Sequence, residues 1–563
     1  MATRVWDKLP SPPVGFAREL GFPPFQAHLL YNRGIRSRVE VGPYLAPDES
    51  LAHDPMLLPD MGRGVARLRK AMDSGESIGV FGDFDTDGVT GTALLTQALQ
   101  GLGARVVPYI PDRVDEGHGL NDGAIRLLEE SGVSLLVTVD CGGTSVSEVK
   151  LAASLGIDTI VTDHHTLGPA PYDALALISP RRADSTYPYS DLTGVGLAFK
   201  LAEALYAETG ESRPDHLLEL AALGTVADVG PLTGENRYLV KRGLEHLNGT
   251  RNPGILALID SAGLKLGSLD TESLSFGLIP RLNAAGRLGH AVRSFELLMA
   301  TSKETAVPLA EELERQNRER QLLTEEGVVA ARRQLEAQRD GDDGVPSMIV
   351  VGSAEWIPGI LGLIAGRLSE EFYRPVVALS LGEEISRGSA RSIGEFNMVE
   401  ALGQCQELLV RFGGHPMAAG FTAATSSLPA LRRRLGTLAE ERLRGMVLTP
   451  SIEVDCEVSP VLFNDDNLGF MESLSPCGEG NPAPVLLTRN ARVVEARLVG
   501  RDGRHLKMKL SHSGGVWDAI AFRQGERIDA TREHVDIVYT VGMNEWGGRT
   551  RLQLKVLDLR RST

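Results

Sequence analysis

Residues 78–90 read IGVFGDFDTDGVT. The apolar run Ile78, Val80 and Phe81 has the composition of a buried strand. It breaks at Gly82 into three carboxylates at alternate positions, Asp83, Asp85 and Asp87, and Gly88 closes the turn. A helical pattern, VTGTALLTQALQGL, follows. Acids crowded at one strand end repel one another. At ~4 Å and an effective dielectric of ~20, each like-charged pair costs about 4 kcal/mol. A proton or a bound cation relieves that cost, so the stretch is a candidate metal site. D-x-D-x-D-G also opens a calcium EF-hand loop, which needs a preceding helix and Glu at its twelfth position. Here a strand precedes the motif and Leu94 stands twelfth, which excludes the EF-hand. On the motif alone, an acidic solvated turn stays open.

Around this stretch, helix and strand patterns alternate. Helix 64–75 leads to strand 78–81, then come helix 89–102 and strands 104–111, 134–140, 158–164 and 173–180, with helical segments between most of them. Strands alternating with helices of this length predict right-handed βαβ units and a parallel sheet covered on both faces. The polar residues fall at strand ends. Strand 78–81 runs into Asp83, strand 134–140 ends at Asp140, and strand 158–164 ends at Asp163, His164 and His165. Open parallel sheets bind ligands at the carboxyl ends of their strands. Three strands therefore deliver acids and imidazoles to one edge.

The rest of the chain divides by composition. Residues 1–60 are Pro-rich and predict an N-terminal cap, and 61–300 hold the first α/β domain, its later part mostly helical with Asp228 after HLLELAALGTVADVGPL. Residues 301–344 predict a long charged, solvated linking helix, and 345–447 return to α/β character. From 448 to 563, short strands with turn signals predict a small β-barrel.

At 563 residues the chain is too long for one core. Its four cysteines, Cys141, Cys405, Cys456 and Cys477, form no CxxC pair, so a zinc or disulfide framework is not expected. No basic start followed by an apolar segment and no apolar run of ~18 residues is present, so no membrane association and a cytoplasmic location are expected. Net charge is −16, which argues against a nucleic-acid partner. The distribution qualifies this: residues 486–563 carry 15 Lys/Arg against 9 Asp/Glu.

Taken together, GDFDTDG, TVDCGG, TDHH, GTVAD and GGHPMAAG resemble the DHH phosphoesterase superfamily. With RVDEGHGL (113–120), PRLNAAGRL (280–288), EWIPGILGLIAGRL (355–368) and CGEGNPAP (477–484), the ordered set is most similar to the RecJ family, bacterial 5′→3′ exonucleases of single-stranded DNA. The resemblance covers nearly the whole chain. It implies a DHH catalytic domain, a long helix, a second DHH-associated α/β domain and a C-terminal OB-fold. It also implies two divalent ions, with Asp85 and Asp87 each holding one, Asp140 bridging them, and His164 and Asp228 completing the second site. Sister pyrophosphatases have a histidine where this chain has Phe81, which leaves Asp83 as the candidate extra ligand. His165 would face the scissile phosphate.

Carboxylate and imidazole donors together suit Mn²⁺, with Mg²⁺ the alternative. Substrate contacts are expected from Gly414 and His415 in the GGHPMAAG turn, from an anion pocket of Arg387, Ser389 and Arg391 for a terminal 5′-phosphate, and from Arg113, Arg281, Asn283 and Arg287. Any of Arg113, Arg281, Asn283 and Arg287 could instead support Asp228 or the fold. In the barrel, Trp517 and Phe522 are expected to pack the core and Trp546 to stack on bases. The implied partners are single-stranded DNA, a single-strand-binding protein and a RecQ-type helicase, in recombination and repair. Two other readings stay open: a DHH-type oligoribonuclease or phosphodiesterase, and a replisome scaffold without catalysis.

Overall fold

The structure, a computed structural model, describes residues 4–168, 173–337, 344–500, 503–546 and 549–562. It forms two compact units, one from residues 53–230 and 234–448, the other from 4–52, 231–233 and 449–562. The first strand, β1 (Val5–Lys8), belongs to the second unit.

The first unit opens with β2 (Ser77–Gly82), β3 (Arg105–Tyr109), β4 (Val133–Val139), β5 (Asp158–Thr162) and β6 (Ala176–Ile178). All pair in parallel, in the order β3-β2-β4-β5-β6. Continuous apolar runs make this possible. Ile78, Val80, Phe81, Leu135, Leu136, Val137, Val139, Ile160 and Val161 are all buried, as strands covered on both faces require. From β2 the chain crosses to β3 on one side and then to β4 on the other. The strand order therefore reverses between β2 and β4, which opens a crevice at their carboxyl ends. The turn carrying Asp83, Asp85 and Asp87 leaves β2 there, and Asp140 leaves β4.

A second sheet contains β7 (Ile349–Ser353), β8 (Val376–Ser380), β9 (Ile385–Arg391), β10 (Arg411–His415) and β11 (Ala418–Ala424), in the order β10-β11-β9-β8-β7. Only the β7–β8 pair is parallel. Arg387, Ser389 and Arg391, the residues expected to form an anion pocket, all lie on strand β9. GGHPMAAG is a hairpin rather than a glycine turn: Gly413, Gly414 and His415 lie on edge strand β10, and Pro416–Met417 make the bend. The linking helix, Lys303–Ala337, is one continuous element but is not solvated all round. Ala306, Ala310, Leu313, Val328, Ala331 and Leu335 are buried, and it packs on helices Pro253–Ser261, Ile279–Leu288 and Pro358–Phe372. Its charged residues masked an apolar stripe. At Gly327 a Cβ would meet Ile364 at 2.5 Å, so only glycine lets the helix Pro358–Phe372 come this close.

In the second unit, β12 (Ser451–Val454) pairs in parallel with β1, and β13 (Cys456–Glu457) joins β14 (Leu486–Val499). Strands β14, β15 (His505–His512), β16 (Gly515–Ala521), β17 (His534–Trp546) and β18 (Arg549–Arg561) run in the order β14-β15-β16-β18-β17. Pairing of β14 with β17 closes the barrel. Alternate residues such as Leu506, Met508 and Leu510 fill it.

Phe16, Leu20, Ala27, Leu29 and Leu30 share this core, and Arg33 pairs with buried Asp455 at 3.0 Å. Residues 4–52 are therefore part of the barrel unit, not a separate cap over 1–60. A barrel this small leaves an apolar flank, and these helices cover it. Trp517 packs on the core as expected, but Phe522 is 53% exposed, edge-on to His505 at 5.4 Å. The side chain of Trp546 lies outside the described residues. Among the described residues, no helix is long and apolar enough to cross a membrane.

Candidate metal centre

Asp85 ends the extended segment after β2 and caps helix Thr86–Gly101, its Oδ1 accepting the amides of Asp87 (3.0 Å) and Gly88 (3.1 Å). Asp87 therefore falls in the first helical turn. The N-terminus of helix Gly194–Thr209 grips it, Gly194 N–H donating to Oδ2 (2.7 Å) and Val195 N–H to Oδ1 (2.9 Å). A helix start is a natural seat for a carboxylate. Asp140 follows β4 in the left-handed region, with φ 62°, which aspartate tolerates better than most residues. Its Oδ1 lies 3.0 Å from His164 Nε2, which is 3.7 Å from Asp228 Oδ2 at the end of helix Leu217–Ala227.

Three sets of ligand atoms each lie within 4.8 Å of one another: Asp83, Asp85 and Asp140; Asp87, His164 and Asp228; and Asp140, His164 and His165. Burial and the neighbouring carboxylates Asp87, Asp85 and Asp83 push Asp140 well above the usual carboxylate range. Burial, Asp228 and Asp85 do the same to Asp87. Burial and Asp83 raise Asp85, and burial and Asp85 carry Asp228 to about 7. Burial, then His165, hold His164 down at about 3, neutral and able to act as a ligand.

Asp83 Oδ1, Asp140 Oδ1 and His164 Nε2 are buried without hydrogen-bond partners among the described residues. Buried polar atoms are almost always satisfied. Orphaned oxygens, a neutral imidazole and carboxylates crowded at the energetic cost above are the donor set that divalent cations fit. Phe81 takes no part: it is fully buried and stacks on Tyr109 at 5.4 Å.

His165 stands differently. Its backbone N–H (2.9 Å) and Nδ1 (2.8 Å) both meet Asp163 Oδ1, while Asp163 Oδ2 accepts Gly143 N–H (2.7 Å). Burial alone would lower the imidazole pKa, but the Asp163 hydrogen bond outweighs it and raises it. The ring stacks 6.3 Å from His415, so β10 brings its histidine to the metal edge.

The expected substrate contacts separate into three groups. Register places His415, Ala418 and Arg391 in one row across β10, β11 and β9. Near Arg391, Arg113 sits over the Phe84 ring at 4.6 Å, and Arg287 donates to Gly359 O at 3.0 Å. Burial and the proximity of Arg113, Arg320 and Arg391 lower Arg287 to about 9. A Cβ at Gly362 would meet Arg391 Nη2 at 2.7 Å and Ser389 Oγ at 3.1 Å, so glycine opens the helix start onto this cationic pocket.

Arg387 shares the strand face but sits four residues away, about 13 Å along β9, in the row of Arg411 and Thr422. Arg281 and Asn283 support the fold instead. Arg281 pairs with Glu314 at 2.7 Å and donates to Gly277 O at 2.5 Å. Asn283 Oδ1 accepts Thr86 N–H at 3.1 Å and so steadies the carboxylate turn.

The description "DHH family, N-terminal domain" matches residues 77–225, "DHHA1 domain" 346–441 and "RecJ OB domain" 454–558. Over 546 residues the chain is 39% identical to the single-stranded-DNA-specific exonuclease RecJ of Bacillus subtilis, covering 96% of this chain and 68% of that protein. The chain belongs to the RecJ family. With the RecJ of Escherichia coli it shares 34% identity, over 94% of this chain and 95% of that one. The crystal structure of RecJ from Thermus thermophilus in complex with Mn²⁺ matches with a TM-score of 0.84 at 33% identity, over 99% of this chain and 80% of that one. The Mg²⁺ complex of that RecJ matches with a TM-score of 0.79. Both cations expected from the donor set are therefore held by a RecJ relative of the same fold.

Four residues of this RecJ-family site escaped the sequence reading. Arg320 was hidden in a charged helix, and Asp163 was noted only as a strand end. Gly194 follows a Thr193 cap whose signal, T-G-V-G, marks a helix start without saying what it grips. His118, between two glycines, offered the clearest missed cue: a chemistry-bearing side chain in a turn.

Proposed function

We propose that the chain is a metal-dependent exonuclease that hydrolyses single-stranded DNA from its 5′ end. The observation that carries this reading is the set of unsatisfied carboxylate and imidazole atoms at the switch point of the parallel sheet, in a RecJ-family chain. Asp83, Asp85 and Asp140 would hold one divalent cation, and Asp87, His164 and Asp228 a second, with Asp140 between them. When bound, Mn²⁺ or Mg²⁺ supplies an activated water and stabilises the departing oxygen.

The protein's own groups do the rest. Asp163 fixes the His165 ring in one orientation, so that its outer nitrogen faces the position of the scissile phosphate and can donate to it. His415 approaches from β10, next to Gly413 and Gly414, whose lack of side chains leaves the backbone open to a phosphate oxygen. Arg113, Arg287 and Arg391 with Ser389 would take the terminal 5′-phosphate, which sets polarity by anchoring the end of the strand. In the barrel unit, exposed Phe522 and the half-buried His505 beside it offer a face on which bases stack. A single-strand-binding protein and a RecQ-type helicase fit as partners, the cytoplasm as the setting, and recombination and repair as the process.

The test is digestion of long single-stranded DNA labelled at one end or the other, with Mn²⁺ or with EDTA, beside the matching RNA. Metal-dependent release from the 5′ end, weak on RNA, is the expected result. Cleavage of short oligonucleotides only would move the protein to the oligoribonuclease class, and binding without cleavage would make it a scaffold.

The phosphate pocket carries its own prediction. A charge-assisted hydrogen bond contributes roughly 1.5–3 kcal/mol, about 10- to 100-fold. Arg391→Ala should lower kcat/KM on 5′-phosphorylated strands by that factor and leave 5′-hydroxyl strands nearly unchanged. Arg387→Ala should leave the ratio of the two as it is. Equal losses from both variants would place the pocket elsewhere.

A further inference from the structure

The loop between β3 and the helix Asp122–Glu130 is tied down along its length. Asp112 Oδ1 accepts the amides of Val114 (2.7 Å) and Asp115 (3.0 Å). Glu116 accepts Asp112 N–H at one oxygen (2.8 Å) and, at the other, Tyr109 Oη–H and Asn121 Nδ2–H (both 2.9 Å). Within this frame Gly117 and Gly119 take left-handed φ of 82° and 87°, and His118 projects between them. Its Nδ1 lies 3.1 Å from Asp83 Oδ1. The ring sits edge-on to Phe84 at 6.3 Å and to His165 at 5.5 Å. A loop built this firmly holds its outermost ring in one place.

The carboxylates of the first metal subsite are anchored unequally. Two backbone amides fix Asp85, and backbone conformation and the amide bond to Thr162 O (3.1 Å) fix Asp140. Asp83 Oδ1 accepts no hydrogen bond of good geometry, and His118 is the side chain at ion-pair distance from it among the described residues. No ring comes from position 81, because Phe81 is locked against Tyr109.

We propose that His118 is a positioning residue that holds Asp83 toward the first metal subsite, so that this subsite is completed from the 112–121 loop and not from β2. The inference rests on the metal reading above. Outer-shell partners of this kind change metal affinity about 10- to 100-fold when removed.

The test is Mn²⁺ titration of the full chain, followed by calorimetry and by the electron paramagnetic resonance of free Mn²⁺. Wild type, His118→Ala and His118→Asn are compared. Wild type should bind two ions. His118→Ala should keep one at wild-type affinity and weaken the other about 10- to 100-fold, with an unchanged metal-free melting temperature. His118→Asn should recover most of the loss, because its Nδ2 reaches the place of Nδ1. Two ions at unchanged affinity in His118→Ala, or equal weakening of both, would overturn the inference alone. A wild type that binds no Mn²⁺ overturns the metal reading and this inference together.

Discussion

Replacing Gly194 with alanine will remove most of the nuclease activity, although residue 194 offers no ligand. A Cβ built there stands 2.3 Å from Asp140 Cβ, 2.5 Å from its Cγ and 2.6 Å from its Oδ1. Contacts this short cannot be absorbed by a small rotation, and none of the participants is free to retreat. Helix Gly194–Thr209 is held by the bonds from Gly194 and Val195 to Asp87, so backing away releases a second proposed ligand. Asp140 is held by its left-handed backbone and its amide bond to Thr162 O. One of the two carboxylates must therefore shift by a substantial part of an ångström.

Misplacement of about 1 Å at a reacting centre costs on the order of 10²-fold, and loss of a ligand costs more. Hydrolysis of 5′-labelled single-stranded DNA at saturating Mn²⁺ should fall by ~10²-fold or further, with Mn²⁺ affinity reduced and the protein still folded. Near-normal hydrolysis with two ions bound would show that the helix start can move independently of the ligands, against the packing described here.

That glycine marks the line between what was legible in the sequence and what was not. Strand ends were legible: continuous apolar runs broken by polar residues placed Asp83, Asp140 and His164 on one edge, and the sheet has that order. The barrel was legible from the alternation of residues such as Leu506, Lys507 and Met508. Contacts across distant segments were not. That Asn283 steadies the turn at Thr86, or that Arg281 pairs with Glu314, follows from where helix Ile279–Leu288 packs, and no local pattern encodes it. The solvated appearance of Lys303–Ala337 came from counting its charges, when the apolar stripe was the deciding feature. Residues 4–52 looked separate because the whole first unit intervenes in sequence before the barrel core they join.

Asp140→Asn should make the metal-free protein more stable while removing its activity. Burial, then Asp87, Asp85 and Asp83, raise the Asp140 pKa well above the usual range in the folded chain. A carboxyl raised by folding favours the folded state when protonated. Its stabilising effect is complete below the unfolded pKa near 4 and is lost as pH rises toward the folded pKa. Without metal, wild type should therefore lose stability as pH rises above about 4, and the amide variant should lose less. Relief of one like-charged partner in this cluster is expected to stabilise the neutral-pH apoprotein by about 1–3 kcal/mol, a rise of a few degrees in melting temperature.

Divalent cations invert the order. A ligand at a hundred times its Kd stabilises the folded state by about 2.7 kcal/mol, and the variant, lacking the carboxylate proposed to be shared between the two subsites, should forfeit much of that. The melting curves of the two proteins should cross when Mn²⁺ is added, with hydrolysis reduced by roughly 10³-fold or more in the variant. If Asp140→Asn melts below wild type in EDTA at pH 7, Asp140 is a structural residue of the fold. If it melts above wild type in EDTA and below it in Mn²⁺, the carboxylates are stored repulsion that the cations relieve, and the site is unstable by itself because it is made to bind them.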